Sequence, residues 1–143
     1  LVFPGWDQAM IAWIQQKGDS VVGYMGSKLD HEGKGGQIAY GYDADYICGW
    51  CMCMPRTVCE QHGLFDEDNL RFAYGEDSDF CFRVQEAGGS VYSLHLASLV
   101  LHFENKTSNQ LRLEGCDFRE PFEANHDYIR SRWAKFLGTQ QGS

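Results

Sequence analysis

The chain has 143 residues, 43% of them hydrophobic, with twelve basic against twenty acidic side chains and a net charge of -8. That length suits one compact domain with a real core, and an acidic chain without a basic stretch argues against gripping a phosphate backbone, so nucleic acid is not an expected partner. No apolar run approaches the roughly 20 residues of a membrane span, and the first residues lack the basic flank and apolar stretch of a signal peptide, so a cytoplasmic protein with no membrane span is expected.

In chain order, Trp6, Met10, Trp13 and Ile14 recur at three- and four-residue steps after Pro4-Gly5 and predict an amphipathic helix ending near Lys17-Gly18. Residues 20–25, SVVGYM, predict a short apolar strand. The polar, glycine-bearing segment 30–36 predicts a mobile loop in which His31 and Glu32 are solvated. Residues 46–54 are almost wholly apolar and predict one buried strand, with Gly49 allowing a ligand or another strand to approach the backbone. Trp50 in that run either packs in the core or stacks on a sugar or base. Pro55 then opens a short helix over 56–61, which His62-Gly63 ends. The six cysteines are expected to be reduced, buried and hydrophobic in role, pointing to a reducing compartment, with metal binding or a disulfide as the alternative.

The stretch 74–102 holds the chemistry. A helix is predicted over 76–87, closed by Gly88-Gly89. Asp77, Phe80, Cys81 and Val84 fall at i, i+3, i+4 and i+7, which puts one carboxylate on an apolar stripe. Glu76, Asp79 and Arg83 fall on the neighbouring face, and the spacing of Asp79 and Arg83 suits an ion pair that braces the helix. Carboxylates favour a helix start in any case. For Asp77 the helix field is also expected to keep the group ionised, as a base taking a proton from an alcohol must be. Residues 90–94 and 98–102 predict strands, the second nearly all apolar and therefore central. It ends at His102, either a plain hydrogen-bonded residue or a metal ligand. Residues 104–114 predict a polar flexible loop. After Pro121, the residues Phe122, Ile129, Trp133 and Phe136 mark a last amphipathic helix closed by Gly138, with 138–143 a disordered tail.

The succession Gly49-Trp50-Cys51-Met52 with Arg56, then Gly63-Leu64-Phe65-Asp66, then Glu76-Asp77-Ser78-Asp79-Phe80-Cys81-Phe82-Arg83 with Gly88, and finally His102, resembles the C-terminal half of family 2 glycosyltransferases. A galactosyltransferase C-terminal region has a similar Gly-Glu-Asp-x-Asp segment. The resemblance covers residues 1–133. It implies that residues 1–137 form part of an α/β GT-A (Rossmann-like) fold, a mixed sheet flanked by helices. The implied reaction is inverting transfer of a sugar from a nucleotide-sugar donor to the hydroxyl of a carbohydrate or other acceptor. By the same resemblance Asp77 matches the catalytic base, Gly49, Trp50 and Glu76 belong to the substrate pocket, and Asp79 and Arg83 support the helix. His102 matches a histidine that completes a divalent metal site, for Mn or Mg.

Members of that family carry a nucleotide-binding half first, with an Asp-x-Asp metal motif, and residues 1–6 resemble what directly follows it. That half is therefore expected to precede Leu1, and the metal and the activity are expected only where it is present. Asp43-Ala44-Asp45 has the letters at the wrong place in the order. The alternative is a non-catalytic module of the same fold that binds carbohydrate or pairs with another subunit, with Trp6, Trp13, Trp50 and Trp133 on its surfaces and self-association as a consequence.

Overall fold

The computed structural model describes residues 1–72, 74–94, 99–102 and 106–137. The fold is mixed α/β, two small sheets with helices packed against them. Helix α1 (Gln8–Lys17) ends at Gly18, which adopts φ +71 and donates its N–H to the Ile14 carbonyl. The chain then enters β1 (Ser20–Gly23), buried at every position. This strand is the centre of one three-stranded sheet. Strand β6 (Ser90–Ser93) lies parallel on one side of it and β5 (Met52–Cys53) antiparallel on the other.

Successive side chains of β1 point to opposite faces, and each face has its own core. Val21 packs among Ile47, Val58, Phe80, Cys81 and Val84. Val22 packs with Met10, Tyr24 and Val100. Helices α2 (Arg56–His62) and α3 (Glu76–Glu86) supply all of the first group but Ile47, and α1 contributes Met10 to the second, so both valines of SVVG have to be apolar. A further layer forms where α5 (Arg119–Trp133) lies against α3, through Phe82, Ile129 and Trp133 with Leu70.

The central position thus belongs to β1 and not to 98–102. Ser98 lies outside the described residues. Residues 99–102 make one antiparallel bridge, Val100 with Val2, framed by the Phe3 N–H to the Leu99 carbonyl at 3.0 Å and the Leu101 N–H to the Leu1 carbonyl at 2.8 Å. A run of three apolar residues does not announce whether it sits at a centre or an edge, and here Leu101 is exposed.

Residues 46–54 are not one strand either. Strand β4 (Tyr46–Ile47) pairs with β2 (Gly26–Leu29), a 3-10 turn occupies Gly49–Cys51, and β5 pairs with β1. The chain passes from one sheet to the other at Gly49-Trp50. Close approach of backbone occurs at Gly23 instead of Gly49. A Cβ on Gly23 would stand 2.2 Å from Ile47 Cγ2 and 2.3 Å from the Cys51 carbonyl oxygen, whereas one on Gly49 would meet Asp77 Cβ at an ordinary 3.5 Å.

The second sheet has the order β3-β2-β4, and β3 (Gly35–Ala39) forms a hairpin with β2. The expected mobile loop shrinks to the hairpin connection. One Asp30 carboxylate oxygen accepts the N–H groups of Glu32 and Lys34, each at 2.9 Å, which ties the turn. His31 and Glu32 are exposed there. Part of the segment expected to be a flexible loop is helix α4 (Lys106–Leu113), whose Thr107, Ser108 and Asn109 are weak helix formers and which has no buried apolar stripe to announce it. Helix α5 begins two residues before Pro121, which sits in its first turn. Residues 138–143 lie outside the described residues. None of the six cysteines is in a disulfide, but only Cys81 is fully buried, and Cys116 is exposed. No helix among the described residues is long and apolar enough to cross a membrane.

Candidate active site

Helix α3 starts from a strained approach. Phe72 and Tyr74 adopt φ +68 and +77, and Gly75 at the helix start adopts +98. Bulky side chains rarely take the left-handed region, so something must hold them there. Asn125 of α5 does so from a buried position. Its amide nitrogen donates to the carbonyls of Arg71 at 3.0 Å and Tyr74 at 2.9 Å, and its Oδ1 accepts the Arg71 N–H at 3.2 Å. The last helix therefore fixes where α3 begins.

Asp77 is half-buried, on the stripe it shares with the buried Phe80, Cys81 and Val84. Its Oδ2 accepts the Gly49 N–H at 2.9 Å and its Oδ1 the Ser78 N–H at 2.8 Å. Burial, and after it the negative charge of Glu76, push the carboxyl up to about 6 against those two donors. The helix start was expected to keep Asp77 ionised near neutral pH, as it still mostly is, but the field does not set the carboxyl's affinity. Desolvation outweighs that field. A carboxylate poised near 6 is still mostly ionised at neutral pH and accepts a proton far better than an ordinary aspartate.

Asp77 lines a cavity of about 780 Å³, and so do Gly49, Trp50, Glu76 and His102. Five predicted residues from three separate stretches of sequence thus converge. The rings of Trp50 and His102 lie face to face, centroids 4.5 Å apart and 2° from parallel, so the indole already stacks on a side chain of its own chain.

Asp79 and Arg83 do not line this cavity. Asp79 is fully buried, where Oδ2 accepts Arg83 Nε–H at 2.8 Å and Oδ1 accepts Trp133 Nε1–H at 2.8 Å. Arg83 continues to the carbonyls of His62 and Leu64, the second at 2.7 Å. The expected brace is present and reaches further than one helix, since it joins α3 to α5 and to the chain leaving α2. Trp133, expected on a surface, is a core residue at 1% exposure.

Tyr74, Phe122 and His126 also line the cavity, none of them a site residue by spacing or resemblance. His126 stands four residues after Phe122 and three before Ile129, on the apolar stripe of α5. That is the same signal, a polar side chain among apolar ones, that singled out Asp77. Its Nδ1 is 2.9 Å from the Gly33 carbonyl, which joins α5 to the β2–β3 hairpin, and Phe122 packs edge to face on its ring at 4.2 Å.

Among the described residues no three His, Cys, Asp or Glu side chains come together in a way that holds a metal ion. His102 offers one nitrogen, with its ring flat against Trp50. These residues do not make a complete metal site, and the chemistry below runs through none. No protein-family model matches the chain, and no curated protein matches it.

Proposed function

We propose that the cavity takes a hydroxyl-bearing acceptor and that Asp77 is the general base of an inverting glycosyl transfer from a nucleotide-sugar. What carries the assignment is Asp77 itself: a half-buried carboxylate on a cavity wall, oriented by two backbone N–H groups, with basicity raised by its surroundings. In the step proposed, an acceptor hydroxyl gives its proton to Asp77 while its oxygen bonds to the anomeric carbon. The bond from that carbon to the diphosphate oxygen breaks, and the diphosphate leaves with the electron pair. Gly49 and Ser78 hold the carboxylate in place, and Glu76 keeps it basic. The ordered motifs that resemble family 2 glycosyltransferases support the same chemistry, with residues 1–137 as the acceptor-binding part of a GT-A fold. A divalent Mn or Mg ion belongs to this proposal only with ligands besides His102. Six free thiols suit a reducing, cytoplasmic setting.

The test is transfer from a panel of nucleotide-sugars to neutral saccharides, comparing the wild type with Asp77→Asn. Turnover is expected to fall about 10²–10⁴-fold in the variant, the range of a lost general base. A fall of only a few-fold removes Asp77 from that role.

A second reading, a non-catalytic module that pairs with another subunit or a second copy, is favoured by the exposed Leu64, Phe65 and Phe72. Phe65 and Phe72 line one hollow beside Glu76. Sedimentation that shows only monomer at high protein concentration counts against it; a dimer that Phe72→Ser dissociates supports it.

A further inference from the structure

Two residues of the cavity wall each hold a polar atom without a partner among the described residues. Glu76 Oε2 and His126 Nε2 are both buried without a hydrogen bond among the described residues. They come from different helices, α3 and α5, and both residues line the one cavity of about 780 Å³. A buried polar atom left unpaired is costly, and native proteins carry few of them. Two on one cavity wall, next to an Asp77 carboxylate that is itself poorly solvated, need an explanation.

The bonding of His126 fixes what its free nitrogen can do. A carbonyl oxygen only accepts, so the contact of Nδ1 with the Gly33 carbonyl at 2.9 Å places the ring proton on Nδ1. In the neutral imidazole Nε2 is then an acceptor. Glu76 Oε2 is an acceptor as well, and Asp77 adds two carboxylate oxygens. Lys34 also lines the cavity, but its ammonium is paired with Glu32 at 2.6 Å. The wall is therefore rich in acceptors and negative, which repels phosphates and carboxylates. It is faced with the rings of Trp50, Tyr74 and Phe122. Aromatic rings beside acceptor side chains suit a neutral molecule that carries many O–H donors on an apolar ring.

We infer that the cavity is a binding site for an uncharged, polyhydroxylated ring, read by hydrogen bonds from its hydroxyls to His126 Nε2 and Glu76 Oε2. This deepens the proposed transfer reaction and rests on it only for the site's purpose: it assigns the cavity to the uncharged sugar, not to the diphosphate of the donor. His126 is a specificity residue in this assignment. Both acceptors are shielded from bulk water, so a bound hydroxyl reaches them after the surrounding side chains shift, Phe122 on the imidazole among them.

The test is ligand-observed NMR on the intact chain. The probes are glucose, galactose, mannose, N-acetylglucosamine and their β-1,4-linked trimers, with glucuronic acid and glucose 6-phosphate as charged counterparts. At least one neutral probe is expected to bind, and both charged ones to bind more weakly. His126→Asn keeps an N–H for Gly33 but has nothing at the place of Nε2, and is expected to weaken the neutral probe about tenfold, as loss of a buried ligand hydrogen bond does. His126→Gln returns an acceptor near Nε2 and is expected to recover most of that loss, which a merely structural histidine would not do. Tighter binding of the charged probes, no binding by any neutral probe, or equal losses in the Asn and Gln variants would each overturn the inference. Histidine-dependent sugar binding together with Asp77→Asn turnover equal to wild type would leave this site standing and remove the base.

Discussion

Two carboxylates stand two residues apart on α3 and live in opposite circumstances. Asp79 is fully buried and saturated, with Arg83 and Trp133 each at 2.8 Å and Arg132 Nε at 3.6 Å. Asp77 is less buried but poorly compensated: two backbone N–H groups and, among the described residues, no cation, beside a second carboxylate in Glu76. Burial with a full set of partners holds a fold together. Burial without one stores a proton affinity that chemistry can use, and that stability would be better off without.

Removing partners from the saturated site should produce the largest effects. Asp79→Ala takes the carboxylate from the Arg83 guanidinium, which keeps only the His62 and Leu64 carbonyls, and leaves the Trp133 indole N–H unpaired in the interior, and a loss of about 3–5 kcal/mol in denaturant unfolding is expected. Trp133→Phe, which takes one hydrogen bond and part of a ring, is the milder companion and reads the same node if the first variant does not fold. Asn125→Ala should rank next, at about 2–4 kcal/mol, because it releases three part-buried hydrogen bonds and the left-handed Phe72 and Tyr74 together. A loss well below 1 kcal/mol would show that the approach to α3 needs no clamp.

The unsaturated site should respond with the opposite sign. Asp77 titrates near 6 in the folded chain against an ordinary 3.8. Between those values the folded state holds a proton that the unfolded chain has released. The wild type therefore loses stability as pH rises through that window. Asp77→Asn does not titrate, so its stability relative to wild type should grow between pH 4 and pH 7, by about 1–2 kcal/mol, while transfer is lost. Unfolding curves at the two pH values check this, and a difference that stays flat would contradict it. The smallest effect belongs to Gly49→Ala, expected within about 0.5 kcal/mol because the added Cβ has room.

The sequence displayed the saturated and unsaturated acids unequally. Asp77 was visible because an acid on the stripe of Phe80, Cys81 and Val84 breaks a helical pattern, and Asp79 paired with Arg83 by spacing alone. The depth of that pair was hidden, since its second partner, Trp133, lies in the last helix. His126 broke the α5 stripe just as Asp77 broke its own, but Phe122, Ile129 and Trp133 suffice to define that helix. The helices α1, α2, α3 and α5 were legible from apolar period and from Gly18, Gly63 and Gly88. The strands were not so legible. Short apolar runs look alike whether they form the centre, as SVVG does, or a single bridge, as Val100 does. The β2–β3 hairpin escaped because GSKL and GGQIA carry little apolar alternation, and its stability lies in partners far along the chain.

The most direct test is a carbon-detected NMR titration of the Asp77 side-chain carboxyl, assigned by comparison with Asp77→Asn. A midpoint near 6 is expected, falling when Glu76→Gln removes the neighbouring charge. A midpoint at or below the ordinary 3.8, unmoved by Glu76→Gln, would make Asp77 another satisfied carboxylate at a helix start.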